Sequence, residues 1–167
     1  MRKGGSILIE RSTKIARPIN EVFAFYNTPE NLRLVTPSTS GVELERLPKD
    51  LRPGAIFGYR LRGWPLELRW EALVSEYRPP ERFINVQSRG RFLQWSHEHH
   101  FAPEGTSTRV QELLRYRMPK GLVSSVAHRL YVREKLEELV STGLENVRAE
   151  LQRGEADRPL AEWSVLP

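Results

Sequence analysis

The chain has 167 residues, no cysteine and a formal net charge of +5 at pH 7. This length predicts a single domain that can bury its own core. The lack of cysteine excludes disulfides, zinc–thiolate sites, iron–sulfur clusters and a thiol nucleophile. No apolar run reaches the roughly 18 residues of a membrane-spanning helix, and no segment resembles a signal peptide. We therefore expect a soluble, cytoplasmic protein with no integral membrane segment.

The positive charge is spread along the chain. Basic residues alternate with acidic ones, and no run of five or more occurs. The sequence also lacks the GxGxxG and GxxxxGKS/T motifs of nucleotide sites and the GxSxG motif of hydrolases. We therefore expect no nucleic-acid partner and no cofactor.

The N-terminal region predicts one strand followed by two short helices. Residues 6–16 alternate apolar and polar side chains, which is typical of a strand. Pro18 suits the first turn of a helix, and an apolar stripe that includes Tyr26 follows it. A second short helix is predicted through Leu32 and Val35, ending at Pro37.

Strand patterns then recur at short intervals. The predicted strands are 42–47, 55–61, 66–77, 82–88, 92–102 and 108–118. The third of these is the clearest, because its apolar residues occupy every second position. The patterns leave open whether Arg60, Asn85 and Gln87 face inward or outward.

The C-terminal region predicts one long amphipathic helix. From Val132 to Leu151, apolar residues repeat at steps of three and four. Antiparallel strands with one such helix indicate an α+β fold, in which a curved sheet packs on the helix and leaves a gap suited to a small ligand. We assign the domain to residues 1–153 and a C-terminal tail to residues 154–167.

Three stretches are similar to proteins of the START-like (SRPBCC) superfamily. They are GWPLELRWEALVSEYRPPERFINVQSRGRFLQWSHEHHF, VQELLRYRMPKG and LYVREKLEEL. The resemblance covers roughly residues 7–152 and points to a bacterial, polyketide cyclase/dehydrase-like branch. It implies the helix-grip fold, with six or seven antiparallel strands around the long helix and two short helices after the first strand. It also implies binding of hydrophobic small molecules, although a fold does not fix a function.

The segment WSHEHHF, residues 95–101, holds three of the four histidines of the chain. Strand alternation places His97 and His99 on its more apolar face and His100 on the other. If the next hairpin turn is centred on residues 104–106, His97 faces Glu112. The same register pairs Trp95 with Leu114 and His99 with Val110.

Several roles are open for this histidine and glutamate pair. A buried carboxylate needs a partner, so we expect His97 and Glu112 to form a structural pair that can also anchor the polar group of a ligand. A metal site of His97, His99 and Glu112 resembles two-histidine, one-carboxylate centres. However, histidines two apart on a strand are a weak metal signature, and we expect no metal. Proton transfer by the pair is chemically possible.

Aromatic residues on the strands favour a container for a hydrophobic ligand. We expect the cavity to be lined by Tyr59, Trp70, Trp95, His97, His99, Glu112 and Tyr116. The favoured function is binding, transport or sequestration of a lipid or polyketide-like molecule. The alternatives are an aromatase or cyclase acting on a polyketide-like substrate, and a protein-interaction module without a ligand.

Overall fold

The computed structural model describes residues 6–62, 67–119 and 126–153, with the backbone alone for 126–129. Its elements are β1 (Ile7–Ile15), α1 (Ile19–Asn27), α2 (Asn31–Val35), a 3₁₀ turn (Ser38–Ser40), β2 (Val42–Arg46), β3 (Ile56–Leu61), β4 (Leu68–Arg78), β5 (Arg82–Gly90), β6 (Gln94–Glu104), β7 (Ser107–Arg117) and α3 (Val126–Gln152). The predicted order of strands and helices is confirmed. The predicted tail, residues 154–167, lies outside the described residues.

The seven strands form one antiparallel sheet in the order β1-β7-β6-β5-β4-β3-β2. Consecutive strands from β2 to β7 are neighbours, and β1 joins the far edge beside β7. This last pairing aligns the apolar faces of the two strands, because buried Ile9 lies opposite buried Leu114. The curled sheet wraps around α3, so its concave face and one face of the helix share the core.

The helix α3 packs on two apolar clusters. Its C-terminal half, from Leu144 to Leu151, packs with α1 and with aromatic residues of β3, β5 and β6. The first half, from Val132 to Val140, packs with Trp70, Trp95 and Tyr116. Among the described residues, no helix combines the length and the apolar character needed to cross a membrane.

The hairpin between β6 and β7 corrects the predicted register. Glu104 pairs with Ser107, so the turn contains only Gly105 and Thr106. Gly105 has φ of 65°, which suits the first central position of a two-residue hairpin turn. The prediction of a turn centred on residues 104–106 was wrong, and every cross-strand pair moves by two residues.

The observed register changes the partners of the aromatic and histidine residues on β6. The pairs are Trp95 with Tyr116, His97 with Leu114 and His99 with Glu112. A shift of two residues preserves which side chains share a face. The predicted inward face is therefore correct, whereas the predicted direct neighbours are not.

Candidate functional site

A small cavity lies between the concave face of the sheet and α3. Its volume is about 70 Å³, which is room for a few water molecules. The helices contribute Tyr26, Val35 and Gly143 to its wall, and both apolar clusters contribute aromatic residues. The cavity therefore lies where the two clusters meet.

The polar side of this cavity is built around Glu112. Its Oε1 accepts a hydrogen bond of 2.9 Å from the Tyr26 hydroxyl, and its Oε2 lies 3.1 Å from His97 Nε2. His99 Nδ1 lies 3.3 Å from Oε1 but is not aligned for a hydrogen bond. One carboxylate is thus in contact with a phenol and two imidazoles. We call Tyr26, His97, His99 and Glu112 the polar cluster.

The sheet explains why these groups converge. His99 is directly opposite Glu112 across β6 and β7, and His97 reaches the same carboxylate diagonally. Diagonal neighbours in an antiparallel pair are within reach of long side chains. The expected pairing of His97 with Glu112 is therefore present, although these residues are not directly opposite. The imidazole centroids of His97 and His99 lie 4.1 Å apart.

Burial and neighbouring charges fix the protonation of most of the cluster. Burial raises the pKa of Glu112, but His99 and His97 outweigh it and hold that pKa well below its usual range. Burial, and then the nearby His97, lower the pKa of His99 to about 4. Burial and the charge of Glu112 raise the pKa of Tyr26 well above its usual value. At neutral pH, an ionised carboxylate therefore lies beside a neutral imidazole and a neutral phenol.

Three polar atoms on the cavity wall have no hydrogen-bond partner among the described residues. They are Asn85 Oδ1, Trp95 Nε1 and His99 Nδ1. All three side chains are buried, with 3%, 3% and 5% of their residues' surface exposed. Because buried polar atoms are normally paired, we expect an occupant of this small cavity to carry polar groups.

The predicted cavity residues divide into two groups. Tyr59, Trp95, His97, His99 and Glu112 line the cavity. In contrast, Trp70 and Tyr116 are buried in the apolar cluster of the first half of α3 and are not part of the lining. Trp70 stacks on Tyr59, with centroids 5.2 Å apart, and so supports the wall from behind.

The structure settles the three positions that the sequence left open. Asn85 faces inward, directly opposite His97 on β5 and β6. Gln87 binds the backbone of Phe92 through both ends of its amide. Arg60 lies at the surface, 2.8 Å from the carboxylate of Glu43.

Sequence reasoning missed Tyr26, Phe83 and Asn85 as site residues. Tyr26 belongs to the apolar stripe of α1, and its hydroxyl reaches Glu112 only because α1 packs across β6 and β7. Phe83 stacks on the imidazole of His99, with centroids 4.3 Å apart. One signal was available in the sequence: Glu112 is an acid on the otherwise apolar inward face of β7. A buried acid of this kind requires polar partners, and one of them could come from another element.

A larger depression of about 490 Å³ is formed by residues 46–56, which connect β2 to β3. Its wall shares no residue with the polar cluster and comes from one contiguous segment. The combination of buried titratable groups and unpartnered polar atoms belongs to the smaller cavity, which is therefore the candidate site.

No protein-family model and no curated protein matches the chain. Solved structures do match. TTHA0849 from Thermus thermophilus is 24% identical, covers 86% of this chain and 99% of its own, and has a TM-score of 0.60. A START superfamily protein from Mycobacterium smegmatis is 13% identical, with coverages of 87% and 99% and a TM-score of 0.61. The chain has the helix-grip fold.

This fold is shared well beyond the two bacterial structures. Ara h 8.0201 is only 10% identical, yet it covers 88% of this chain and 98% of its own with a TM-score of 0.60. The resemblance to START-like proteins drawn from the sequence is thus confirmed at the level of the fold. The helix-grip architecture leaves a space between sheet and helix, and the polar cluster lies on the sheet side of that space.

Proposed function

We propose that the protein binds a small molecule with a hydrophobic body and a polar group in the cavity between the sheet and α3. The observation that supports this most directly is the set of three buried, unpartnered polar atoms in residues of a wall that combines aromatic and aliphatic side chains with the polar cluster. Ligand sites typically combine an apolar lining with a few polar groups that fix orientation. Binding of hydrophobic molecules is also what the resemblance to START-like proteins implies.

The polar group of the ligand would be oriented by the polar cluster and its neighbours. Trp95 Nε1 is a hydrogen-bond donor and Asn85 Oδ1 is an acceptor. A hydroxyl group, or an amide that carries an N–H, could bond to both atoms. The aromatic wall would take the body of the molecule out of water, which contributes about 25 cal/mol for each Å² of apolar surface before the costs of binding.

The size of the cavity constrains how such a ligand enters. Its volume of about 70 Å³ is well below the roughly 300–1,000 Å³ of typical ligand pockets. A lipid or polyketide-like molecule therefore requires the wall to move. Val35 of α2 and Leu51 of the β2–β3 connection line the cavity without belonging to the sheet or to α3. We propose that these two segments shift to admit the ligand.

Gly143 offers a direct test of the cavity. This residue lines the cavity from α3, and a Cβ atom added to it would have only Val35 O within 4 Å, at 3.8 Å. Gly143→Ala therefore adds little bulk, whereas Gly143→Leu directs an isobutyl group into the cavity. The probe is 8-anilinonaphthalene-1-sulfonate, a fluorescent dye with an aromatic body and one polar group.

We expect the wild type and Gly143→Ala to bind one dye molecule per chain, and Gly143→Leu to bind at least about tenfold more weakly. All three proteins are first shown to unfold cooperatively in urea, because loosely packed states also bind this dye. Equal dye binding by all three would contradict the proposal. Native mass spectrometry with denaturing extraction would then identify a natural ligand class that co-purifies with the wild type.

The enzymatic alternative uses the same groups. An aromatase or cyclase needs a proton donor and acceptor beside the substrate, and Tyr26, His97 and Glu112 offer both. The interaction-module alternative has less support. The exposed large apolar residues in the described part of the chain, namely Leu8, Leu34, Leu93 and Leu130, lie on four different elements or connections.

A further inference from the structure

We propose that His97, His99 and Glu112 form a binding site for a divalent transition-metal cation, with Zn²⁺ the best match. This goes beyond binding of an organic ligand and does not depend on it. The sequence favoured no metal because histidines two apart on a strand are a weak metal signature, and the predicted register placed His99 opposite Val110. The observed register instead places His99 opposite Glu112, so that all three side chains meet at one point.

The positions of the ligand atoms suit a small cation. The three groups offer atoms that all lie within 4.8 Å of one another. Two separations are shorter: 3.1 Å from His97 Nε2 to Glu112 Oε2 and 3.3 Å from His99 Nδ1 to Oε1. In a tetrahedral site with bonds of about 2.0–2.1 Å, neighbouring ligand atoms are about 3.3 Å apart. Small side-chain rotations would therefore surround a cation.

His99 is the residue that distinguishes a metal site from a simple hydrogen-bonded pair. Its Nδ1 is 3.3 Å from a carboxylate oxygen and fully buried, yet it makes no hydrogen bond with any described residue. Directly opposite His97, the side chain of Asn85 presents a second buried and unpartnered atom, Oδ1, to the same cavity. An unpartnered nitrogen beside the carboxylate, together with a further unpartnered oxygen in the lining of the same cavity, is what a cation with an incomplete protein ligand set requires.

The surroundings supply the supporting contacts that metal ligands usually have. Carboxylates that bind metals are commonly held by a further hydrogen bond, and the Tyr26 hydroxyl provides one to Glu112 Oε1 at 2.9 Å. Phe83 stacks on His99 and fixes the plane of its ring. The site is thus positioned by α1 and β5 as well as by the strands that carry the ligands.

The donor set selects the class of metal. Two imidazole nitrogens and one carboxylate oxygen, with no thiolate, suit Zn²⁺ and other first-row divalent ions better than Ca²⁺ or Mg²⁺, which prefer oxygen alone. Three protein ligands leave a fourth tetrahedral position. Because the three ligand residues line the cavity together with Asn85, we infer that Asn85 Oδ1, a water molecule or the polar group of a bound molecule completes the coordination.

The test titrates metal-free protein with CoCl₂, a spectroscopic substitute for Zn²⁺, and then displaces it with ZnCl₂. We expect one Co²⁺ per chain, with the intense visible bands of a tetrahedral ion. His97→Ala and His99→Ala should each abolish these bands. Tyr26→Phe, which keeps all three ligands but removes the supporting hydrogen bond, should weaken binding by roughly 10–100-fold.

His100→Ala is the matched control, because His100 lies on the same strand but faces outward and pairs with Glu98 at 3.0 Å. This variant should bind Co²⁺ like the wild type. Equal weakening by His100→Ala and His97→Ala would show that binding is not specific to the inward-facing cluster and would overturn the proposal. The absence of stoichiometric binding by the wild type would also overturn it.

X-ray absorption spectroscopy of the Zn²⁺-loaded wild type avoids any question of whether the variants fold. Two imidazole nitrogens with oxygen ligands at about 2.0–2.2 Å would support the site, and a shell without imidazole would refute it. Because these titrations use the cation alone, their failure leaves the dye-binding result untouched. If Gly143→Leu loses dye binding but still binds Co²⁺, the cavity has been blocked while the metal ligands remain intact. The two proposals are therefore tested independently of each other.

Discussion

We expect the hydrogen bond from Tyr26 to Glu112 to make a measurable contribution to stability. In Tyr26→Phe, the buried carboxylate loses a donor at 2.9 Å while the ring that packs around it is kept. Hydrogen bonds to charged groups contribute about 1.5–3 kcal/mol, and His97 continues to donate to the other oxygen. We therefore expect the free energy of unfolding to fall by about 2 kcal/mol, measured by urea denaturation at pH 7 with an unchanged m-value.

Tyr77→Phe is the matched control for this experiment. It removes the same hydroxyl group from a bond of 2.8 Å, but the acceptor is the neutral, half-buried side chain of Asn27. We expect a loss of about 1 kcal/mol or less. If Tyr26→Phe costs no more than Tyr77→Phe, the carboxylate does not depend on the phenol. A double-mutant cycle with Glu112→Gln should in addition give a coupling energy of about 1 kcal/mol or more.

Three further predictions concern pH and two glycines. The pKa of His99 in the folded protein is about 4, below its ordinary value of about 6.5, so the unfolded chain gains a proton first as the pH falls. Stability should therefore decrease from about pH 6.5 to about pH 4, by on the order of 3 kcal/mol, and urea unfolding of His99→Gln should show a flatter dependence. Gly143→Ala should raise the free energy of unfolding by about 1 kcal/mol, because alanine favours the helix and its Cβ meets no close atom; a lower melting temperature would contradict this. Gly90→Ala should destabilise by about 1–3 kcal/mol, since its Cβ would lie 2.6 Å from Cβ of Trp70; calorimetry that shows no decrease would refute the close approach.

Local patterns were sufficient to predict the order of strands and helices, whereas the helix-grip architecture was implied by the resemblance to START-like proteins. The strict alternation along β4 and the three-and-four repeat along α3 both reflect burial of one face, and burial of one face is what the structure shows. On β5 the same reasoning could not decide which face of the strand points into the cavity. Apolar Ile84 and Val86 face away from the cavity while Asn85 is 3% exposed inside it. Both faces of this strand carry apolar residues, so alternation alone could not choose between them.

The candidate site was predictable in composition and less so in geometry. Glu112 on an apolar face indicated a buried partner, and His97 was correctly assigned to it. The details depended on the length of the turn at Gly105, which alternation along the strands does not fix, and the longer turn was the wrong choice. Tyr26 could not be assigned to the site, because its contact spans 86 residues and depends on how α1 packs across the sheet.

The placement of β1 beside β7 has a consequence for synthesis of the chain on the ribosome. Ile7 pairs with Tyr116, so β1 is synthesised more than 100 residues ahead of its hydrogen-bonding partner. At about 5–20 residues per second, that interval is roughly 5–20 s. Throughout it, the apolar side of β1 has no sheet to cover it, and such contacts between distant segments also slow folding. The nascent chain therefore passes through a period in which a chaperone or a neighbouring nascent chain can reach this strand before β7 does.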